Sequence, residues 1–215
     1  MRDFMFRSDG PFARFMNMLG DILFTGILWI LFSLPVITAG ASMTAAYYTM
    51  AKCVKHRTGY IGKEFLGSFK RNLKQTLPMT CIFLIATAVL IVDIVYLWKN
   101  DSTLNSALFM VLIFVTFLVW GLALYIYPLL SRFDKKSLEL IKIASVVLFK
   151  YLPVTIAGIL LFAIACVGVY LMPWAILVIP GVYLYLMSYP MERILRKLMP
   201  PVEEDSEEAQ KWYYQ

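Results

Sequence analysis

Ionisable side chains that could do chemistry are sparse in the long apolar stretches of this sequence. Asp21 and Asp93 are the acidic residues within them, and each lies near the end of a stretch, where a charge reaches the lipid headgroups. A membrane protease needs paired carboxylates or a serine–histidine pair near the bilayer centre. No such group is present, so we predict no catalytic residue and no enzyme activity. The alternative, an ion or proton site at Asp93, stays open.

Metal and cofactor sites are not predicted either. Cys53, Cys81 and Cys166 are widely spaced, and His56 is the only histidine, so the spacing matches neither a zinc site nor a disulfide framework. The sequence contains no glycine-rich phosphate loop. We therefore expect no metal and no cofactor.

The composition indicates that lipid is part of the solvent of this protein. Of 215 residues, 60% are hydrophobic and 16% are charged, which is more apolar surface than one soluble domain buries. The net charge of +6 does not indicate nucleic acid, because the basic residues lie between long apolar runs rather than on one soluble face. A lipid bilayer is the predicted environment, and no nucleic-acid partner is expected.

The apolar runs and the charges between them predict an all-α, polytopic membrane helix bundle. Six transmembrane helices in three hairpins are expected at 17–37, 39–54, 77–98, 107–130, 152–171 and 174–190. This arrangement puts all of the 20 basic residues except Lys99 on one side. By the positive-inside rule, that side and both termini are cytoplasmic. The alternative left open is that residues 19–54 form a re-entrant hairpin.

Two regions of different character follow from this pattern. Residues 1–199 are predicted to form a single transmembrane domain. Residues 200–215 begin with two prolines and then carry five acidic residues in six positions, from Glu203 to Glu208. They are predicted to form an acidic cytoplasmic tail.

The second predicted span is rich in small residues at a spacing of four. Gly40 and Thr44, and likewise Ala41 and Ala45, recur on one helix face. Such pairs let helix backbones approach closely in lipid. We interpret these four residues as helix-packing positions inside the bundle, and a homo-oligomer interface is the alternative.

A parallel repeat indicates two cytoplasmic helices. Leu77-Pro78 and Leu152-Pro153 each open a predicted span, and each is preceded by a segment, 62–76 or 135–148, with apolar residues at helical spacing among lysines and arginines. We predict two interfacial amphipathic helices that lie on anionic lipid or bind a soluble partner. The candidate partner-docking residues are Phe65, Phe69, Lys70, Arg71, Lys74, Leu138, Ile141 and Lys142.

Several short stretches carry a resemblance to a known family. They are 34–41 (LPVITAGA), 45–48 (AAYY), 59–60 (GY), 69–72 (FKRN) and 74–75 (KQ), with looser likeness around Tyr127-Pro128 and Leu152-Pro153. In these the chain resembles the YesL-like family of bacterial membrane proteins of unknown function. The likeness runs to about residue 197 and leaves the acidic tail unmatched.

The resemblance implies a location in the bacterial cytoplasmic membrane and an accessory role in carbohydrate uptake. Its members are often encoded beside carbohydrate ABC importers and sensor kinases. The implied partners are therefore importer permease or ATPase subunits, or a sensor kinase. The leading hypothesis is a non-enzymatic accessory or regulatory protein, and the alternative is a self-contained small oligomeric transporter or channel. A third class, an intramembrane enzyme, lacks the residues it needs.

Overall fold

A computed structural model describes residues 11–99, 103–133 and 135–199, and within these ranges the chain is helical with no strand. The α-helices are α1 (Pro11–Ser33), α2 (Ala39–Thr49), α3 (Ile61–Lys99), α4 (Thr103–Leu130), α5 (Ser137–Lys150), α6 (Leu152–Leu171) and α7 (Ile179–Leu198). Short 3₁₀ helices precede α2 (Val36–Thr38) and α7 (Pro173–Leu177), and α2 continues as a π-helix (Met50–Lys55). The predicted acidic tail, 200–215, lies outside the described residues.

Four helical segments are long and apolar enough to cross a membrane. They are Phe12–Ser33, Ile61–Lys99, Ser106–Leu130 and Leu152–Leu171. The all-helical, multi-pass character predicted from the sequence is confirmed, whereas the count of six spans is not. The predicted spans 39–54 and 174–190 are not among the four. The first is short and rich in polar and small residues, and the second contains only the start of α7, a helix whose last turns are charged from Glu192 onward.

The predicted boundary at Pro78 is absent, because α3 is one helix of 39 residues that contains this proline. Pro78 is exposed, so its ring does not disturb packing inside the bundle. Side chains also bond to the main chain around it: Thr76 Oγ1 donates to the Asn72 carbonyl at 2.9 Å, and Thr80 Oγ1 donates to the Thr76 carbonyl at 2.8 Å. Segment 62–76 is therefore the first part of α3 and not a separate interfacial helix. Pro153, in contrast, opens α6 as predicted.

Helix α2 lies antiparallel to the first half of α3. A Cβ atom added at Gly40 would meet Thr80, the middle residue of α3, and the ring of Tyr127. Farther along α2, the Tyr48 ring lies under the Arg71 guanidinium at 5.5 Å. The predicted second span therefore packs beside residues 64–80 of α3. The sequence predicts that 39–54 crosses the membrane and that 62–76 lies at its cytoplasmic surface. Two segments that pack side by side cannot satisfy both predictions. This position favours the re-entrant hairpin that the sequence left open.

Close helix contacts complete the bundle. Helices α1 and α7 approach at a pair of glycines, since a Cβ atom on Gly26 would lie 2.9 Å from the Gly181 nitrogen. Such an approach needs residues without side chains. On the other side, Gly121 of α4 faces Leu148 of α5. The Tyr125 hydroxyl and the Thr155 hydroxyl of α6 are 2.9 Å apart, within hydrogen-bond distance.

Candidate functional site

The predicted docking residues of α3 divide into two aromatic residues that pack inside the bundle and an exposed cationic group. Phe65 is 0% exposed, and its neighbour Phe69 packs edge-on against Phe32 of α1 at a centroid distance of 4.9 Å. Phe65 therefore cannot form part of a docking surface, and half-buried Phe69 is largely used to hold α3 against α1. This corrects the prediction, which placed the apolar side of this segment on lipid or on a partner. Lys70, Arg71 and Lys74 are exposed, as a docking surface requires.

The second predicted docking segment corresponds to α5. Its buried side is formed by Leu140, Ala144, Val147 and Leu148, which pack on α4. Leu138, which is one of the predicted docking residues, lies off this side and is 74% exposed. The difference of two residues between Leu138 and Leu140 turns the helix by about half a revolution. Helix α5 therefore uses one apolar side inside the protein and leaves a second one exposed.

That second apolar side carries the remaining docking candidates. Leu138, Val146 and Phe149 are exposed, Ile141 is half-buried, and Lys142 is exposed between them. An amphipathic helix of this kind suits a membrane surface or a partner groove. The structure thus leaves the α5 docking residues available, although Ile141 is shared with the core.

A hydrogen bond brings the two predicted docking segments together. The Gln75 side-chain amide of α3 donates to the main-chain carbonyl of Lys135 at 2.7 Å. Exposed Lys135 therefore lies beside Gln75, the residue that follows Lys74, and exposed Lys136 is next to it in the chain. We call Lys70, Arg71, Lys74, Lys135 and Lys136 the basic surface.

A buried ion pair lies at the end of the bundle where α2, α4 and α7 meet. The Arg132 guanidinium contacts Glu192 Oε1, and the side chains of both residues are almost fully buried. The Tyr47 hydroxyl donates to the same carboxylate oxygen at 2.7 Å. A buried charge is tolerated when it is paired and hydrogen-bonded in this way. The cluster joins α2, α7 and the turn that follows α4, which are far apart in the sequence.

Sequence reasoning missed this cluster. Arg132 was counted among the loop cations, and Glu192 was not singled out. One signal was available. Glu192 is the only acidic residue between Glu139 and Glu203, and most residues around it in the sequence are apolar or basic. An isolated carboxylate in such a stretch indicates a partner inside the fold.

The pKa values of basic groups around Glu192 are shifted by burial and by neighbouring charges. Burial lowers the pKa of Lys55, and the Glu192 carboxylate partly offsets this effect. The Lys55 ammonium lies 4.7 Å from the centre of the Tyr189 ring. Burial also lowers the pKa of His56, and the charge of Arg196 acts in the same direction. This end of the bundle is therefore a polar junction inside a basic region.

The predicted helix-packing residues lie inside the bundle. Gly40, Ala41, Thr44 and Ala45 of α2 are all buried, against α1, α3, α4 and α7. Thr44 Oγ1 satisfies its hydrogen bond within the helix by donating to the Gly40 carbonyl at 2.9 Å. These residues are therefore used within one chain, which is the first of the two interpretations weighed above.

No metal-binding cluster occurs within residues 11–99, 103–133 and 135–199: no three His, Cys, Asp or Glu side chains lie together there. Asp93 is exposed on α3. The expected lack of metal, cofactor and catalytic residues stays a prediction.

Comparison with a family model and with known proteins supports the family resemblance. Residues 22–94 match the family model described as "Protein of unknown function, DUF624". The family resemblance predicted from the sequence is confirmed. The DUF624 region covers the second half of α1, all of α2 and most of α3, and contains all the short stretches up to residue 75 that carried the resemblance.

One curated relative extends the similarity beyond the DUF624 region. It is "Uncharacterized protein YteU" of Bacillus subtilis (strain 168), which is 22% identical over 206 residues, or 94% of this chain and 91% of the relative. No solved structure gives a significant match. Both similarities are to proteins of unknown function.

Proposed function

We propose that this chain is a non-enzymatic membrane accessory protein that binds an acidic cytoplasmic surface of a carbohydrate ABC importer. The exposed basic surface carries the proposal. It gathers five cations from two segments that are 60 residues apart, and Gln75 ties those segments together. Surfaces with one sign of charge attract and orient partners of the opposite sign.

The setting of the basic surface supports a docking role. Phe65 and Phe69 anchor the helix beneath it, and α5 begins directly after Lys136 with an exposed apolar side. A rigid base reduces the entropy lost on binding. The importer as partner rests on the family resemblance, which implies a role beside carbohydrate uptake. A sensor kinase is the competing partner.

The rival function, a self-contained transporter or channel, would require polar groups along a pathway through the helices. A cavity of about 630 Å³ between the described helices is lined mainly by apolar and aromatic side chains. This lining does not suit a sugar or an ion. We therefore favour docking over transport.

A charge-neutralising variant tests the proposal. The change Lys70→Gln, Arg71→Gln and Lys74→Gln removes three exposed charges and keeps helix propensity nearly constant. The matched control is Arg193→Gln, Arg196→Gln and Lys197→Gln, which removes the same charge from exposed positions of α7. Cells expressing each variant are cross-linked, and the proteins captured with it are identified by mass spectrometry.

We expect the α3 variant to recover about tenfold less importer subunit than wild type, because three exposed charged contacts of about 0.5 kcal/mol each amount to about 1.5 kcal/mol, close to a factor of ten. The α7 control should recover the wild-type amount. Equal recovery in both variants would show that the basic surface binds lipid only. Capture of a sensor kinase without importer subunits would replace the proposed partner.

A further inference from the structure

A cavity with a polar rim lies where the start of α1, the π-helix and the start of α3 meet. Its volume is about 550 Å³, within the range of about 300–1,000 Å³ that is usual for small-molecule sites. Its floor is formed by the buried residues Cys53 and Val54. Its opening is marked by the lining residues that are exposed and polar, which are Arg14, Asn17, Arg57 and Tyr60. The cavity therefore opens between α1 and the turn that precedes α3.

Two guanidinium groups line this cavity from different segments. Arg14 belongs to α1, and Arg57 belongs to the turn between the π-helix and α3. Neither side chain makes an ion pair or a hydrogen bond with a described residue. A guanidinium group offers parallel N–H donors that match the oxygens of phosphate and carboxylate groups. Two such groups beside one cavity favour an anionic ligand.

The main chain at Arg57 holds its side chain at this opening. Its φ is 54°, and no other described residue except glycine has a positive φ. The turn is fixed by Thr58, whose N–H and Oγ1 both donate to the Lys52 carbonyl, at 3.2 Å and 3.0 Å. Glycine or asparagine adopts such a conformation more readily than arginine does. The arginine is therefore better explained by its charge than by the turn.

The remaining polar groups of the lining indicate what the rest of the ligand carries. Asp21 lines the cavity from α1, about two helical turns after Arg14, and its carboxylate interacts electrostatically with Arg57. A carboxylate accepts hydrogen bonds from hydroxyl groups. At the start of α3, nothing lies within 4 Å of a Cβ atom added to Gly62, so a ligand oxygen can approach the main chain there. The lining thus combines several donors for an anion with one acceptor for hydroxyl groups.

We propose that this cavity binds a phosphate ester whose organic part carries hydroxyl groups, with the phosphate between Arg14 and Arg57 and a hydroxyl donating to Asp21. A phosphate has enough oxygens to bind both guanidinium groups at once. Glycerol phosphate has the required chemistry, both as a free molecule and as the headgroup of phosphatidylglycerol. If the ester belongs to a lipid, exposed Phe24 in the lining offers an apolar contact to its acyl chains. The site is independent of the basic surface and of the importer.

A charge-removing variant with a matched control tests the phosphate contacts. Arg14→Gln with Arg57→Asn removes both guanidinium groups, and asparagine tolerates the positive φ of position 57. The control, Lys63→Gln with Lys70→Gln, removes the same charge from exposed positions of α3 that do not line the cavity. Binding to the full chain in a neutral detergent is measured by isothermal titration calorimetry. Glycerol phosphate is used in one arm, and phosphatidylglycerol in mixed micelles, with phosphatidylcholine as reference, in the other.

Wild type and the control should bind at least one of these ligands saturably, one per chain, and the cavity variant should bind it about tenfold more weakly, because two charged contacts are lost. Saturation by glycerol phosphate identifies a free ester as a sufficient ligand. Saturation by phosphatidylglycerol alone identifies a lipid. Equal affinity of the cavity variant and the control overturns the proposal, and so does a lack of saturation by either ligand in wild type.

A comparison of ligands tests the hydroxyl contact, and it begins with wild type, so a variant that fails to fold does not leave the proposal undecided. Ethyl phosphate and phosphatidylethanol keep the phosphate of the two ligands and lack the glycerol hydroxyl groups. Wild type should prefer the hydroxylated member of the pair about threefold to tenfold, as expected for a hydrogen bond to a carboxylate. Asp21→Ala should bind both members equally. No preference in wild type, or a preference that survives in Asp21→Ala, overturns the assignment of Asp21.

Discussion

The two ends of the long helices differ in how they are held. Where α2, the first half of α3 and the last turns of α4 and α7 meet, side chains such as Phe65, Tyr125 and Met191 are fully buried. Toward their other ends, α3 and α4 expose Val92, Met110 and similar residues, and hardly any side chain is buried. One end is a packed protein core, and the other is organised mainly by surrounding lipid.

The difference shows which forces act at each end. Helix formation is nearly obligatory for any apolar stretch in lipid, because the backbone has no other partners there. Lipid tails are as apolar as leucine, so the exposed ends gain little from packing together. Specific structure therefore comes from the packed end, through small residues, aromatic rings and the pair Arg132–Glu192.

The α1–α2 hairpin tests the difference between the packed end and the lipid-exposed end. The measured quantity, labelling from outside the cell, is expected to be all or none. Its turn contains exposed Leu34 (70% exposed) and leads to Gly40 beside the middle of α3. We expect the hairpin to belong to the packed end and not to cross. In a variant without the native cysteines, Leu34→Cys should not react with an impermeant thiol reagent outside intact cells, while Met172→Cys should.

Labelling after denaturation in detergent confirms that both new thiols are present. If Leu34→Cys reacts from outside as fast as Met172→Cys, α1 and α2 both cross, and the six-span prediction is right. If it does not, the hairpin begins and ends on the same side, so the side predicted for every later basic residue is unchanged. The charge pattern is therefore equally consistent with both topologies.

The buried ion pair should produce the largest change in stability. Glu192→Ala leaves the Arg132 charge buried without its carboxylate, and we expect a loss of about 3–5 kcal/mol. Val92→Ala, at an exposed position of α3, should cost less than about 1 kcal/mol. Unfolding in detergent, followed by tryptophan fluorescence with increasing denaturant, measures both.

A compensating variant separates charge from shape. Arg132→Met combined with Glu192→Leu removes both charges, and should recover much of the stability lost in Glu192→Ala, because apolar pairs often replace buried ion pairs without loss. The Tyr47 hydroxyl would then lack its acceptor, so Tyr47→Phe completes the set. Equal stability of Glu192→Ala and wild type would contradict a structural role for the pair.

Sequence reasoning succeeded where one strong signal decides the structure. The fifth predicted span, 152–171, coincides with α6, because a run of 20 residues is uniformly apolar and Pro153 fixes its start. The predicted span 107–130 ends with α4 at Leu130. Apolar length alone is sufficient for such elements.

It failed where tertiary contacts decide. Pro78 predicts a boundary, yet the helix continues through it, with Pro78 exposed on the surface of the bundle and Thr76, Met79 and Thr80 buried on the other side of the helix. Phe65 and Lys70 have the same spacing signal as any surface amphipathic helix, and only the contact with Phe32 shows that the aromatic side is buried. Arg132 and Glu192 are 60 residues apart, so their pairing is not visible in any local pattern.

Two glycines provide the smallest and most direct comparison of a packed and an open position. Gly40 lies where an added Cβ atom would overlap Thr80 and Tyr127, whereas nothing lies within 4 Å of a Cβ atom on Gly67. Both are in helices, where alanine is favoured over glycine by about 0.5–1 kcal/mol. Gly67→Ala should therefore stabilise the protein by about that amount. Gly40→Ala should destabilise it by about 1–3 kcal/mol, because overlap in a packed core exceeds the gain in helix propensity. The same unfolding experiment measures both, and stabilisation by Gly40→Ala would mean that α2 does not pack against α3 and α4 at this point.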